Sequence, residues 1–198
     1  VALTIDDSVD VEIVEGEEAE GSRAQLRKKS EGTLLFSDLP IHEKLLKALE
    51  IQGWKSPTPV QKMCLPFTIA KIDVAGFAQT GTGKTGVFLT TIAQRLLEAK
   101  EAKDTDNRKP LALVLCPTRE LAMQIEQDGE TIFKECGLTS LSVFGGIDYE
   151  KQARRISDGV DVIIATPGRL KDYTQKHLVD LRQLKAFVCD EADRMFEM

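Results

Sequence analysis

The amino-acid sequence predicts an α/β domain built on a parallel sheet with helices on both faces. Three observations carry that expectation. Five short apolar runs of strand length recur between Val74 and Cys189, segments of helical periodicity separate them, and a glycine-rich stretch joins the first run to the helix after it. Runs that are apolar throughout, rather than alternating, suit strands covered on both faces. That is the pattern of parallel sheets joined by crossover helices.

The elements follow in chain order. Ser37 or Asp38 is placed to cap a helix carrying Ile41, Leu45, Leu46 and Leu49 on one face, and Gly53 suits its C-terminal end. A second helix starts near Pro59. It contains Pro66, where apolar periodicity on both sides predicts a kink rather than a break. The expected strands are Val74–Ala78, Leu111–Cys116, Leu141–Phe144, Val162–Ala165 and Ala186–Cys189. The polar stretch Lys100–Lys109 is expected as a surface loop.

Composition sets the frame. With 198 residues, 42% hydrophobic and 29% charged, the chain reads as an ordinary soluble domain with one core. No run approaches the roughly 18 apolar residues that span a bilayer, and the acidic N-terminus is unlike a signal peptide, so a cytoplasmic protein is expected. Cys64, Cys116, Cys136 and Cys189 are scattered without a CxxC pair and read as reduced packing residues. The net charge of −6 is unevenly spread. Residues 1–20 hold eight acids and no Lys or Arg, leaving 24 acids against 26 bases in the rest. Residues 1–30 are therefore expected to be an acidic, flexible, solvated segment, with the basic run Arg27–Lys29 as linker and the domain proper over 31–198. The chain lacks a starting Met and ends at Met198 without an evident stop, so it is expected to be a piece of a longer protein.

The chemistry starts at Ala78–Gln79–Thr80–Gly81–Thr82–Gly83–Lys84–Thr85. A loop between strand and helix turns its backbone N–H groups, and the positive helix N-terminus, toward one point where phosphates fit. Gly81 and Gly83 allow the tight path; the first position of the general pattern is Ala78 rather than Gly. Lys84 is suited to neutralise β- and γ-phosphates, and the Thr85 hydroxyl to ligate Mg2+. Asp190, closing the run Ala186–Cys189, is placed to hold the metal largely through water, and Glu191 to polarise an attacking water. Lys84, Thr85, Asp190 and Glu191 are thus the candidate catalytic set.

With these motifs the chain resembles the first of the two RecA-like domains of a DEAD-box RNA helicase, block by block from Phe36 to Asp193. Gly53–Gln61 (GWKSPTPVQ), with Phe36 upstream, resembles the family's adenine-reading Q motif. Gln61 offers the donor and acceptor that pair with adenine, and Phe36, Pro57 and the stem of Lys55 would line the base. Trp54 reads as packing. The implied ATP-binding set is Phe36, Lys55, Pro57, Gln61 and Gln79 through Thr85 (Gln79, Thr80, Gly81, Thr82, Gly83, Lys84, Thr85). Pro117–Ala122 (PTRELA), Gly145–Gly146 and Thr166–Arg169 (TPGR) resemble RNA-contacting blocks, each following an expected strand. Pro117, Thr118, Arg119, Glu120, Gly145, Gly146, Thr166, Pro167, Gly168 and Arg169 then share one rim of the sheet and hold the RNA backbone regardless of sequence.

Within the family, Gly146–Gln152, Gly159–Ile164 and Asp190–Phe196 look most like bacterial enzymes of the RNA-degradosome type. The resemblance also implies a Ser-Ala-Thr motif beyond Met198 that pairs with Asp193, and a second RecA-like domain supplying arginine fingers. It follows that this chain alone would be nearly inactive, its parent being an RNA-dependent ATPase that remodels duplexes. A non-catalytic nucleotide, RNA or protein-binding module is the alternative; another kind of P-loop enzyme fits Gln61 and Thr166–Arg169 poorly.

Overall fold

Pro40 decides where the first helix begins. Leu39 before it is extended at φ −87° and ψ 146°, as the proline ring requires, and only a 3-10 turn forms over Phe36–Asp38. Helix α1 (Glu43–Ile51) is consequently capped by His42 and not by Ser37 or Asp38; the His42 Nδ1 accepts from the Lys44 N–H at 3.0 Å. It ends as expected. Gly53 takes φ +83°, the Gly53 N–H donates to the Glu50 carbonyl at 3.0 Å and the Trp54 N–H to the Leu49 carbonyl at 2.9 Å. Helix α2 (Pro59–Ile69) runs through Pro66 without a break.

The structure is a computed structural model that describes residues 2–4, 9–13, 35–78, 81–105 and 108–197. It divides into two compact units, Val1–Gln94 and Arg95–Met198. Among the described residues no helix is long and apolar enough to cross a membrane.

The first unit holds an antiparallel sheet of β1 (Ala2–Thr4), β2 (Val9–Ile13) and β3 (Val74–Ala78), in that order. The sequence predicts β3 inside a parallel sheet; here it pairs antiparallel with β2, Val9 opposite Ala78 and Ile13 opposite Val74. Part of the segment expected to be flexible and solvated is thus strand. Val9, Val11 and Ile13 alternate with Asp10 and Glu12, a period of two that a count of charges hides, and β3 needs backbone partners along its length. The rest of that segment, residues 1, 5–8 and 14–30, lies outside the described residues.

The second unit carries the expected parallel sheet: β4 (Ala112–Leu115), β5 (Ser140–Val143), β6 (Val162–Ala165) and β7 (Ala186–Cys189), in the order β5-β6-β4-β7. Helices α4 (Arg119–Glu135), α5 (Tyr149–Ser157), α6 (Pro167–Gln175) and the short α7 (Ala192–Phe196) follow β4, β5, β6 and β7, while α3 (Lys84–Glu101) follows β3. Register places the site. Leu115 pairs with both Ala165 and Cys189, and Ala165 with Val143, so all four strands end level. Their loops therefore share one rim.

Leu113, Leu141, Val143, Ile163 and Ala165 pack with Ile156 and the fully buried Tyr173 into one apolar cluster. At the opposite end of the strands the buried Asp161 carboxylate accepts from the Thr139 N–H at 2.8 Å and pairs with Lys100 at 2.7 Å. Strand β7 departs from the expectation of burial on both faces. It is an edge strand of its sheet, and Phe187 is 61% exposed.

Candidate functional site

In the first unit the loop from β3 to α3 turns on two left-handed glycines, Gly81 at φ +84° and Gly83 at φ +102°. Gln79 and Thr80 lie outside the described residues. The loop is held against α2 by Gln61, which is buried. Its side-chain carbonyl accepts from the Thr58 N–H at 2.9 Å, and its Nε2 donates to the Gly83 carbonyl at 3.2 Å. The approach is close enough to exclude side chains. A Cβ on Gly83 would lie 2.7 Å from the Thr58 Oγ1; one on Gly86 would lie 2.3 Å from the Gln61 Nε2 and 2.9 Å from the Trp54 ring.

Two polar groups point to an anion. The Lys84 ammonium folds back to donate to the Ala78 carbonyl across the loop, and the enclosed Thr58 hydroxyl has no hydrogen-bond partner among the described residues. Lys84 and Thr85 open the 18-residue α3, whose N-terminus adds a fixed positive dipole. The Thr82 side chain or backbone is already engaged within the protein. These groups fit a bound phosphate. Of the residues expected to line a base, Phe36 and Pro57 are buried and Lys55 is exposed. Trp54 packs on Gly86, in keeping with its reading as a packing residue.

In the second unit the β4–β7 ladder extends one step past the strand, the Asp190 N–H donating to the Leu115 carbonyl at 2.9 Å. Glu191 then turns left-handed, at φ 50° and ψ 48°, a strained conformation for a residue with a side chain. Its N–H donates to the Asp190 carboxylate at 3.1 Å, and its own carboxylate is ion-paired with Arg194. The neighbouring Cys116 thiol is pushed up to about 12, chiefly by burial and further by the charges of Asp190 and Glu191. Asp193 is exposed.

Along the same rim lies an open cleft of about 1010 Å³. Pro117, Thr118, Arg119, Glu120, Gly145, Thr166, Pro167, Gly168 and Arg169 all line it. Gly146 stands beside it, where a Cβ would come within 2.4 Å of the Arg119 guanidinium. Arg119 is fixed by donating to the Gly145 carbonyl at 3.3 Å. The Thr118 hydroxyl is spent on capping α4, accepting from the Leu121 N–H at 3.3 Å.

Sequence reasoning missed Tyr149, Asp172, Lys176 and Met195, which also line the cleft. It also missed the groups behind Arg169, whose Nη1 donates to the Gln152 Oε1 at 2.9 Å and to the Tyr173 hydroxyl at 3.2 Å. A signal was available: Arg169, Asp172, Tyr173 and Lys176 are spaced as one helical face. Asp172 is held below the usual carboxylate range by Lys176 first and the Tyr149 hydroxyl next, and Lys176 is raised in return.

Comparison with known proteins gives the following likenesses. The family model for the DEAD/DEAH box helicase matches residues 58–198. The ATP-dependent RNA helicase RhlB of Pasteurella multocida (strain Pm70) is 47% identical over 165 residues, covering 83% of this chain and 38% of that protein. The proteins of the same name from Erwinia tasmaniensis and Shigella dysenteriae serotype 1 are each 45% identical over 163 residues; this chain covers 38% and 39% of their lengths. The chain thus spans about two fifths of the length of the curated relatives it matches.

Proposed function

The chain belongs to the DEAD/DEAH box helicase family, and on that premise we propose that it is the ATP-binding part of an ATP-dependent RNA helicase acting in the cytoplasm. The observation that carries this reading is the loop Ala78–Thr85 with its left-handed Gly81 and Gly83, closed on one side by Gln61 and opening into α3. On binding, Lys84 exchanges the Ala78 carbonyl for the β- and γ-phosphates, a stronger partner because it is charged. Thr85 would ligate Mg2+ through its hydroxyl, and Asp190 would hold it largely through water. Bound Mg2+ supplies charge neutralisation at the phosphates. Glu191, one of whose carboxylate oxygens pairs with Arg194, orients the attacking water.

Gln61 keeps one N–H and one carbonyl lone pair beyond its bonds to Gly83 and Thr58, enough to pair with one adenine edge. Phe36, Pro57 and the Lys55 stem flank the base, and Gln79 through Gly83 the phosphates. The RNA lies along the cleft, its phosphates met by Arg119, Arg169 and the backbone of Gly145, Gly146 and Thr166–Gly168, with Pro117, Thr118 and Glu120 shaping the wall. Arg119 and Arg169 are each engaged by protein acceptors, Gly145 for the one and Gln152 and Tyr173 for the other, and the remaining contacts offered are largely backbone groups, which supports a grip on the phosphates that is independent of sequence. Asp193 couples to a second RecA-like domain. Lys84 alone cannot match the charge that develops in phosphoryl transfer, where an added arginine contributes about 10³–10⁵ in rate. Turnover by this chain alone should accordingly be negligible.

The test is RNA-stimulated ATP hydrolysis by this chain supplemented with the second domain. Stimulation by RNA that Glu191→Gln abolishes is expected. Hydrolysis indifferent to RNA, or to Glu191→Gln, would overturn the reading.

A further inference from the structure

Arg169 does not face the cleft alone. Tyr149 stands beside it with the Arg169 guanidinium 5.2 Å from the ring centroid, and the Lys176 ammonium lies 4.7 Å from the same centroid. Both distances fall within the range in which an aromatic quadrupole attracts a cation. The ring itself is held edge-on to Tyr173 at 4.9 Å, and Tyr173 is fully buried, its hydroxyl donating to the Tyr149 carbonyl at 2.9 Å. One tyrosine anchored to the core therefore fixes two positive charges in the lining of one cleft.

We propose that Lys176 is a third phosphate-binding cation for RNA, beside Arg119 and Arg169, and that Tyr149 is the positioning residue that holds Lys176 and Arg169 at a fixed spacing. The inference rests on the reading of the cleft as an RNA track and extends that track along α6. Charge supports it: Arg119, Arg169 and Lys176 outnumber Glu120 and Asp172 in the lining. Lys176 already has a partner, the Asp172 carboxylate at 3.1 Å, but both side chains are substantially exposed. An exposed pair of this kind is weak, so a phosphate can replace the carboxylate or share the ammonium. Asp172 keeps Lys176 in place until then. Gln152 plays the matching part for Arg169, its Nε2 tied to the Ser142 carbonyl and its Oε1 accepting from the guanidinium.

The experiment is a salt titration of binding to a short fluorescent oligouridylate, using the whole chain and following anisotropy. Each single-strand phosphate that a protein cation neutralises steepens the fall of log affinity with log salt by about 0.7, through the counterions it releases. Lys176→Ala and Arg169→Ala should therefore each make the slope shallower by about 0.7, Tyr149→Leu by about 1.4, and Tyr149→Phe, which keeps the ring, should leave it close to unchanged. Lys176 lies on the surface, so its replacement leaves the fold intact, and unchanged circular dichroism checks this. If Arg169→Ala weakens binding but Lys176→Ala keeps both affinity and slope, the inference fails while the RNA track stands. If the unaltered chain shows no salt-dependent binding, or Arg169→Ala does not change it, the reading of the cleft fails and this inference with it.

Discussion

The Gln61 side chain donates to the Gly83 carbonyl at 3.2 Å, so a residue expected to face a base also fastens the loop expected to face phosphates. Its carbonyl is engaged as well, by the Thr58 N–H at 2.9 Å. Gln61→Ala should therefore act at both places. It removes two hydrogen bonds worth about 0.5–1.5 kcal/mol each, and a fall of roughly 1–3 kcal/mol in unfolding free energy is expected by urea denaturation. ATP affinity should drop more than GTP affinity. Equal and unchanged binding of both nucleotides would leave Gln61 with a structural part only.

Gly86→Ala tests how tightly α3 is seated. The added methyl would meet the Gln61 Nε2 at 2.3 Å and the Trp54 ring at 2.9 Å, and neither can retreat easily, one being hydrogen-bonded and the other a rigid ring. Overpacking of this kind costs about 1–3 kcal/mol, offset by nearly 1 kcal/mol from the better helix propensity of alanine. A net loss of stability with weaker nucleotide binding is the expected outcome. A variant more stable than the parent would show that the packing there is loose.

Glu191 should trade stability against function. Its left-handed backbone costs little for glycine, and its ion pair with Arg194 lies near the surface, so Glu191→Gly should raise unfolding free energy by about 0.5–1 kcal/mol. The same change should remove ATP hydrolysis in the presence of the second domain. Thermal melts and a phosphate-release assay on one preparation read both effects.

The Cys64 thiol is pushed up to about 12 from an ordinary 9.0 by burial. Below about pH 9 folded and unfolded chains both keep the proton, and the stabilisation is fully present. Between about pH 9 and 12 the unfolded chain ionises while the folded one does not, so stability falls by up to about 1.4 kcal/mol per pH unit from this group. Cys64→Ala should flatten the decline. Urea midpoints of the two proteins, measured from pH 8 to 11, should diverge in slope above pH 9.

The parallel sheet and its rim were legible from sequence because continuous apolar runs such as Val162–Ala165 and Ala186–Cys189 carry their own signal, and each is followed by the loop that matters. The glycine loop was legible for a similar reason: Gly81 and Gly83 are required locally, by their own backbone angles. The start of α1 was not, although Pro40 stood in view, because a cap depends on which residue becomes extended.

What the sequence by itself determined is local: the strand runs, the glycine loop, the acidic pair and the family that these motifs define. Only the tertiary structure decided which distant groups share an environment. The pairing of β3 with Val9–Ile13, the double use of the Gln61 amide and the two cations held by Tyr149 join residues far apart in the chain or on different elements. The reason is physical. Periodicity reports what each segment needs to bury, whereas pairing and side-chain contact depend on what packing brings within a few ångströms.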